Sequence, residues 1–97
     1  MSLPVNWSPI SKTQYANLLN FIEVEYGVEA ALKFLEKAEK KIDSIGQFPK
    51  SSPSSTQFPN FRKGVITRQT SVYYEVLDSV VQIHFFRDNR SEWEALI

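Results

Sequence analysis

The sequence contains no cysteine and only one histidine, His84. The first absence excludes disulfides and thiolate metal sites, and the second excludes a zinc site built from several imidazoles. Magnesium held by carboxylates has no supporting pattern, so the expectation is no metal and no cofactor. Long apolar runs are missing too, and the N-terminus lacks the basic segment and hydrophobic core of a secretory signal. A cytoplasmic location without membrane contact is expected. Charge of one sign is also missing, since 11 basic residues balance 11 acidic ones. A protein held to nucleic acid mainly by phosphate contacts needs a positive total, so any such surface here must be local.

What is present is ordinary globular composition, 42% hydrophobic and 23% charged in 97 residues. That supports one domain over residues 1–97, too small for a second core. Met1-Ser2-Leu3 is read as an expression scar and given no structural weight.

Leu3 to Trp7 alternates like a short first strand, with Leu3, Val5 and Trp7 on one side. Ser8-Pro9 then opens a helix, the serine accepting from free amides and the proline needing no amide hydrogen. Tyr15, Leu18, Leu19, Ile22 and Tyr26 form its core stripe, and Gly27 ends it. A second helix follows from Val28, with Val28, Ala31, Leu32, Leu35, Ala38, Ile42 and Ile45 as its seam and Gly46 as its close. Its outer face carries the acid-before-base pairs Glu29/Lys33 and Glu36/Lys40. So short a link folds the two helices into an antiparallel hairpin.

Phe48 to Asn60, "FPKSSPSSTQFPN", is a proline- and serine-rich loop, either mobile or ordered only by a partner. Three strands are predicted after it, over Phe61–Arg68, Val72–Leu77 and Val80–Phe86, joined by short turns as an antiparallel meander. The fold class is therefore α+β: an N-terminal strand, a helix hairpin, then a three-stranded meander, with the helices on one face of the sheet. Parity sorts the side chains. Val72, Tyr74 and Val76 face the helices with Val81, Ile83 and Phe85. Tyr73, Glu75, Gln82, His84 and Phe86 share an open face, joined by basic residues between Arg62 and Arg68, with Gly64 as a bulge signal. That face runs out into "RDNR", Arg87 to Arg90.

The order of these elements resembles the RelE/ParE superfamily, through "WSP" at Trp7–Pro9, "FP" at Phe48-Pro49, "TSVYYEV" and "VVQIHFFRDNR". The likeness covers about residues 4 to 92. It implies a bacterial type II toxin, often called a plasmid stabilisation protein, with a microbial ribonuclease-like α+β fold and an antitoxin whose extended tail wraps it. Members similar to the RelE branch cut messenger RNA on the ribosome, with basic sheet residues, an arginine ahead of the tyrosine-bearing strand and a C-terminal tyrosine or histidine. Here Ser71 stands where that arginine is expected. Asp88, Asn89 and Glu94 replace the usual C-terminal types, Arg62 falls near one expected lysine and Gly64 near another. Members similar to the ParE branch lack that set and poison DNA gyrase, and the departures favour this branch.

Three functional expectations follow. The first is a toxin that binds a protein target such as gyrase. The second is a ribosome-dependent, metal-independent endoribonuclease acting on mRNA. The third is a degenerate, non-toxic binding module. For the second, Glu75 and His84 would supply acid and base. The binding candidates are Arg62, Lys63, Arg68, Tyr73, Arg87, Asp88 and Arg90, because paired guanidiniums suit carboxylates and phosphates. The expected partner is a cognate antitoxin, and a homodimer is left open.

Overall fold

Ser8 and Pro9 open the first helix as their chemistry requires. In the computed structural model of the protein, which describes residues 2–89, Ser8 has extended backbone and its Oγ accepts from the Ser11 N–H at 3.0 Å. Helix α1 then spans Pro9–Tyr26, and Gly27, at φ +100°, turns the chain directly into α2, Val28–Gln47. Strand β1 is Val5–Trp7; after the helices come β2 (Arg62–Val65), β3 (Thr70–Val76) and β4 (Val81–Asp88).

The sheet order is β1-β4-β3-β2. The meander β2-β3-β4 is antiparallel and β1 lies parallel against β4, so the expected α+β arrangement is the one observed. Ile45, Val72, Tyr74, Val81, Ile83 and Phe86 form the buried cluster between helices and sheet, with Leu3, Val5, Trp7, Tyr15 and Ile42 packed against it. Leu3 therefore carries structural weight, contrary to expectation, and its N–H donates to the Gly46 carbonyl at 2.9 Å. A side chain at Gly46 would meet Leu3 O and Val5 Cγ2 within 3.3 Å, so this glycine admits β1 against α2 and the helix runs on past it to Gln47.

The hairpin differs from its predicted pattern at its free end. Tyr26, Val28 and Leu32 are 69%, 58% and 58% exposed, while Phe34, outside the predicted seam, is buried. Two packed helices bury only one narrow stripe of each, and here that stripe runs through Ala31, Phe34 and Ala38.

The turn between β2 and β3 comes earlier than expected. Thr67 Oγ1 accepts from the N–H groups of Gln69 and Thr70, both at 3.2 Å, which gathers Thr67, Arg68 and Gln69 into the bend and starts β3 at Thr70. Gly64 lies in regular register opposite Val72 and is not a bulge. A Cβ there would meet Ile45, Lys41 and Val72 at 3.2–3.3 Å, so its role is to let β2 approach α2.

Candidate functional site

The bulge sits in β4 instead. Tyr73 pairs with Phe85 but Tyr74 pairs with Ile83, leaving His84 as the extra residue. An inserted residue reverses the alternation beyond it. Phe86 accordingly turns to the helix side, opposite Val72, and Phe85 turns to the other face, opposite Tyr73; this reverses the parity expected for both. Helix α1 holds the irregular strand where β1 has ended. Ser8 Oγ donates to the His84 carbonyl at 2.7 Å, and Gln14 Oε1 accepts from the Phe86 N–H at 2.7 Å. The backbone groups freed by the short β1 thus find side-chain partners.

His84 and Glu75 meet as the sequence proposed. Nε2 of the imidazole lies 3.1 Å from Glu75 Oε1, with the two side chains 29% and 33% exposed. The contact is an ion pair when the imidazole is protonated and a hydrogen bond otherwise. Phe61 stacks on the imidazole at 4.2 Å and 14°, fixing its plane.

The rest of this face is not bare, which corrects the expectation of an open sheet. The 48–60 loop, expected to be mobile or to need a partner, has no helix or named strand but packs down on the sheet. Phe58 meets Tyr73 and Phe85 edge-on at 5.7 and 5.4 Å, and Tyr73 stacks on Phe85 at 4.7 Å. Tyr73 is consequently only 2% exposed. Polar contacts tie the loop along its length: Ser55 Oγ accepts from Phe58 N–H at 3.1 Å, and Tyr74 Oη donates to the Pro49 carbonyl at 2.8 Å.

The candidate basic residues are dispersed. Arg62, opposite Tyr74, is on the helix side and donates from Nη1 to the carbonyls of Ser52 (2.6 Å) and Lys50 (3.2 Å). Lys63 is on the aromatic side, its Nζ 6.0 Å from the Tyr73 ring centre. Arg68 is exposed in the turn and lines a hollow with Asp88, apart from the other basic candidates. Arg87, expected at an accessible rim, is 4% exposed. Its guanidinium lies 5.6 and 5.7 Å from the Phe58 and Tyr73 ring centres, and Nη1 donates to Gln57 Oε1 at 2.7 Å. Asp88 pairs with Thr70 at the end of β4, and Arg90 lies outside the described residues. Asn89 accepts from Ser71 Oγ at 3.0 Å, so the serine found in place of an arginine anchors the strand exit.

Gln57, Phe58 and Phe61 were missed as site residues. The signal available was two phenylalanines at Phe58 and Phe61, flanking Pro59 in an otherwise polar loop. Among the described residues no group of three or more His, Asp or Glu side chains could hold a metal ion, and no helix is long and apolar enough to cross a membrane.

No protein-family profile and no curated protein matches the sequence. Solved structures do match. A chain of the chromosomal ParDE TA system from P. aeruginosa superposes with a TM-score of 0.76 at 17% identity, covering 90% of this chain and 96% of that one. The YoeB/ParE toxin from Agrobacterium tumefaciens gives 0.66 at 16% identity, with 90% and 99% covered. A chain of the E. coli DinJ-YafQ toxin-antitoxin complex gives 0.64 at 6% identity, with 96% and 99% covered. The chain has the RelE/ParE toxin fold. On that fold this chain carries the bulged His84 beside Glu75 and an aromatic loop closing over Tyr73 and Arg87.

Proposed function

We propose that this chain is the toxin of a bacterial type II toxin–antitoxin pair, held inactive by a protein encoded beside it, and that it acts by binding a protein target such as DNA gyrase. The toxin assignment is supported by likeness to the structures from the ParDE and DinJ-YafQ systems over nearly their full lengths. The preference for a bound protein target rests on one observation: among the described arginines, Arg62 and Arg87 are held by loop groups and Arg68 lies in the distant β2–β3 turn.

Cleavage of RNA through its 2′-hydroxyl needs fixed positive charge around the phosphorane as well as an acid and a base. Glu75 and His84 could supply the acid and base. Around them, however, Arg62 is on the opposite sheet face bonded to loop carbonyls, Arg87 lies beneath Phe58, and Arg68 is in a remote turn. A buried guanidinium cannot close on a phosphate without lifting the loop.

The test runs two assays in parallel on the purified chain: supercoiling by gyrase and messenger cleavage on translating ribosomes. Inhibited supercoiling with intact messenger is the expected result. Messenger cleavage that disappears in both His84→Ala and Glu75→Gln would replace this reading with the ribonuclease one, which the 3.1 Å contact between those side chains favours. Induction in a bacterial host that leaves growth unchanged without the neighbouring gene would instead indicate a binding module with no toxicity.

A further inference from the structure

On the helix side of the sheet, opposite the Glu75–His84 contact, a cavity of about 590 Å³ lies between β1 and the C-terminal half of α2, with Tyr15 of α1 in its wall. Leu3, Val5, Trp7 and Ile42 make it apolar, and Glu39, Lys40 and Asp43 are its charged residues. Gly46 also lines it, and the 2.9 Å bond from Leu3 N–H to the Gly46 carbonyl fastens β1 to α2 there. The cavity is thus built into the packing of two regular elements.

Tyr15 Oη is buried and has no hydrogen-bond partner among the described residues. Its ring is fixed on two sides, edge-on to Trp7 at 5.1 Å and 67° and stacked on Phe86 at 5.4 Å and 30°. A buried hydroxyl without a partner is destabilising, so phenylalanine would serve this position better unless the oxygen meets a group that the chain does not supply. Burial, and after it the nearby Glu39 carboxylate, holds the hydroxyl's pKa above its ordinary value, which places the oxygen in a negative field. Asp43, one helical turn on, adds a second carboxylate; Gln47 Nε2 donates to it at 3.4 Å, which leaves its charge uncompensated. Neither acid has a salt-bridge partner among the described residues, whereas Lys40 lies 3.6 Å from Glu36.

These groups discriminate among guests. An anion would be repelled by the two carboxylates. A wholly apolar molecule would cover the walls but leave the hydroxyl and both acids as they are, and water would meet the hydroxyl yet keep the walls wet. A primary ammonium on an apolar stem suits every group, since its N–H donates to Tyr15 Oη, its charge faces Glu39 and Asp43, and its body covers Leu3, Val5, Trp7 and Ile42. We infer that this cavity binds a small primary amine with an apolar or aromatic body, recognised by the Tyr15 hydroxyl and the Glu39 carboxylate. The volume fits, because small-molecule sites commonly enclose about 300–1,000 Å³. The lining shares no residue with the Glu75–His84 contact, so the site stands or falls apart from the proposed toxin function.

The experiment titrates the whole chain calorimetrically with 2-phenylethylamine, and in parallel with 3-phenylpropionate, which has the same ring and the opposite charge, and with methylamine, which has the charge and no body. The expected dissociation constant for phenylethylamine is on the order of 0.1 mM, and both comparison compounds should bind at least about 10-fold more weakly. In two-dimensional amide NMR spectra the amine should move the signals of Val5, Trp7 and Ile42 and leave those of Tyr73 and Glu75 in place. Tyr15→Phe, which keeps the ring, should weaken the amine about 10-fold. Glu39→Gln/Asp43→Asn should weaken it on the order of 5-fold, while Glu25→Gln/Glu29→Gln at the far end of the hairpin should stay within about 2-fold of the wild type. Thermal unfolding checks that each variant is folded. No binding of phenylethylamine at millimolar concentration, equal binding of phenylpropionate, or a Tyr15→Phe protein that binds like the wild type overturns the site. An amine that fails to bind, together with a Tyr15→Phe protein that loses its hold on the protein encoded next to this one, would make the occupant a lysine side chain of that protein, which also overturns the proposal.

Discussion

Replacing Arg87 by alanine discriminates most sharply between two roles for the "RDNR" cluster. Were Arg87 an accessible recognition residue, its loss would weaken partner binding and leave stability almost unchanged. Its surroundings argue otherwise, since the side chain is 4% exposed, donates to Gln57 Oε1 at 2.7 Å, and lies within 5.7 Å of the centres of two aromatic rings. A hydrogen bond from a charged donor contributes about 1.5–3 kcal/mol, and each ring contact about 0.5–2 kcal/mol, the upper end applying when it is desolvated. Removing the buried charge also returns part of its desolvation cost, so the net loss is set lower, at about 2–3 kcal/mol. For a 97-residue domain this lowers the melting temperature by roughly 10–20 °C. Urea unfolding followed by tryptophan fluorescence gives the free energy directly, and an unchanged slope would confirm that the unfolded state is not the cause. An Arg87→Ala protein that melts within about 2 °C of the wild type would refute the reasoning and return Arg87 to the accessible surface.

Two tyrosine hydroxyls should respond in opposite ways to replacement by phenylalanine. Tyr74→Phe strips the Pro49 carbonyl of its 2.8 Å donor and is expected to cost about 1 kcal/mol, whereas Tyr15 Oη is buried with no hydrogen-bond partner among the described residues, so Tyr15→Phe should cost less than about 0.5 kcal/mol, both read from urea midpoints. Gly64→Ala should cost about 1–2 kcal/mol by overpacking β2 against Ile45, Lys41 and Val72, and an unchanged midpoint would show that α2 yields freely there. Burial, and secondarily the Glu39 carboxylate, raises the Tyr15 pKa above its ordinary value. The folded chain therefore keeps a proton that the unfolded chain gives up. This contribution is full below about pH 10 and is lost as pH climbs from there through the folded pKa, so the decline in stability above pH 10 should be shallower in Tyr15→Phe.

The element order was legible because strong local signals agree with the tertiary packing. Ser8-Pro9 could only open a helix, Gly27 could only divide two, and the alternation of Val72, Tyr74 and Val76 matched the face that the helices cover. The site was less legible, for two physical reasons. First, a bulge adds one residue without changing residue type, and the adjacent Phe85 and Phe86 fit either parity, so nothing in "IHFF" marked where alternation reverses. Second, the serines and prolines of the 48–60 loop point to a mobile or partner-ordered segment, although Phe58, with the adjoining Phe61, carries enough apolar surface to hold it on the sheet. The burial of Arg87 follows from the same loop. Arginine is seldom buried, and only a covering loop that supplies Gln57 and two ring faces makes its position tolerable. The pairing of Glu75 with His84 follows from strand parity, which the bulge reverses only beyond His84. It survives because His84 is the inserted residue and stays on the same side as Phe85.

The sheet order also constrains when the molecule can exist at all. β4, the last strand described, lies between β1 and β3. On an emerging polypeptide the N-terminal strand has nothing to pair with until nearly ninety residues have been made, and the aromatic loop has no Phe85 to rest on. Loss of that segment would therefore split the platform in two rather than shorten it at one side. Any surface that depends on the complete sheet is therefore available only once the chain is nearly finished.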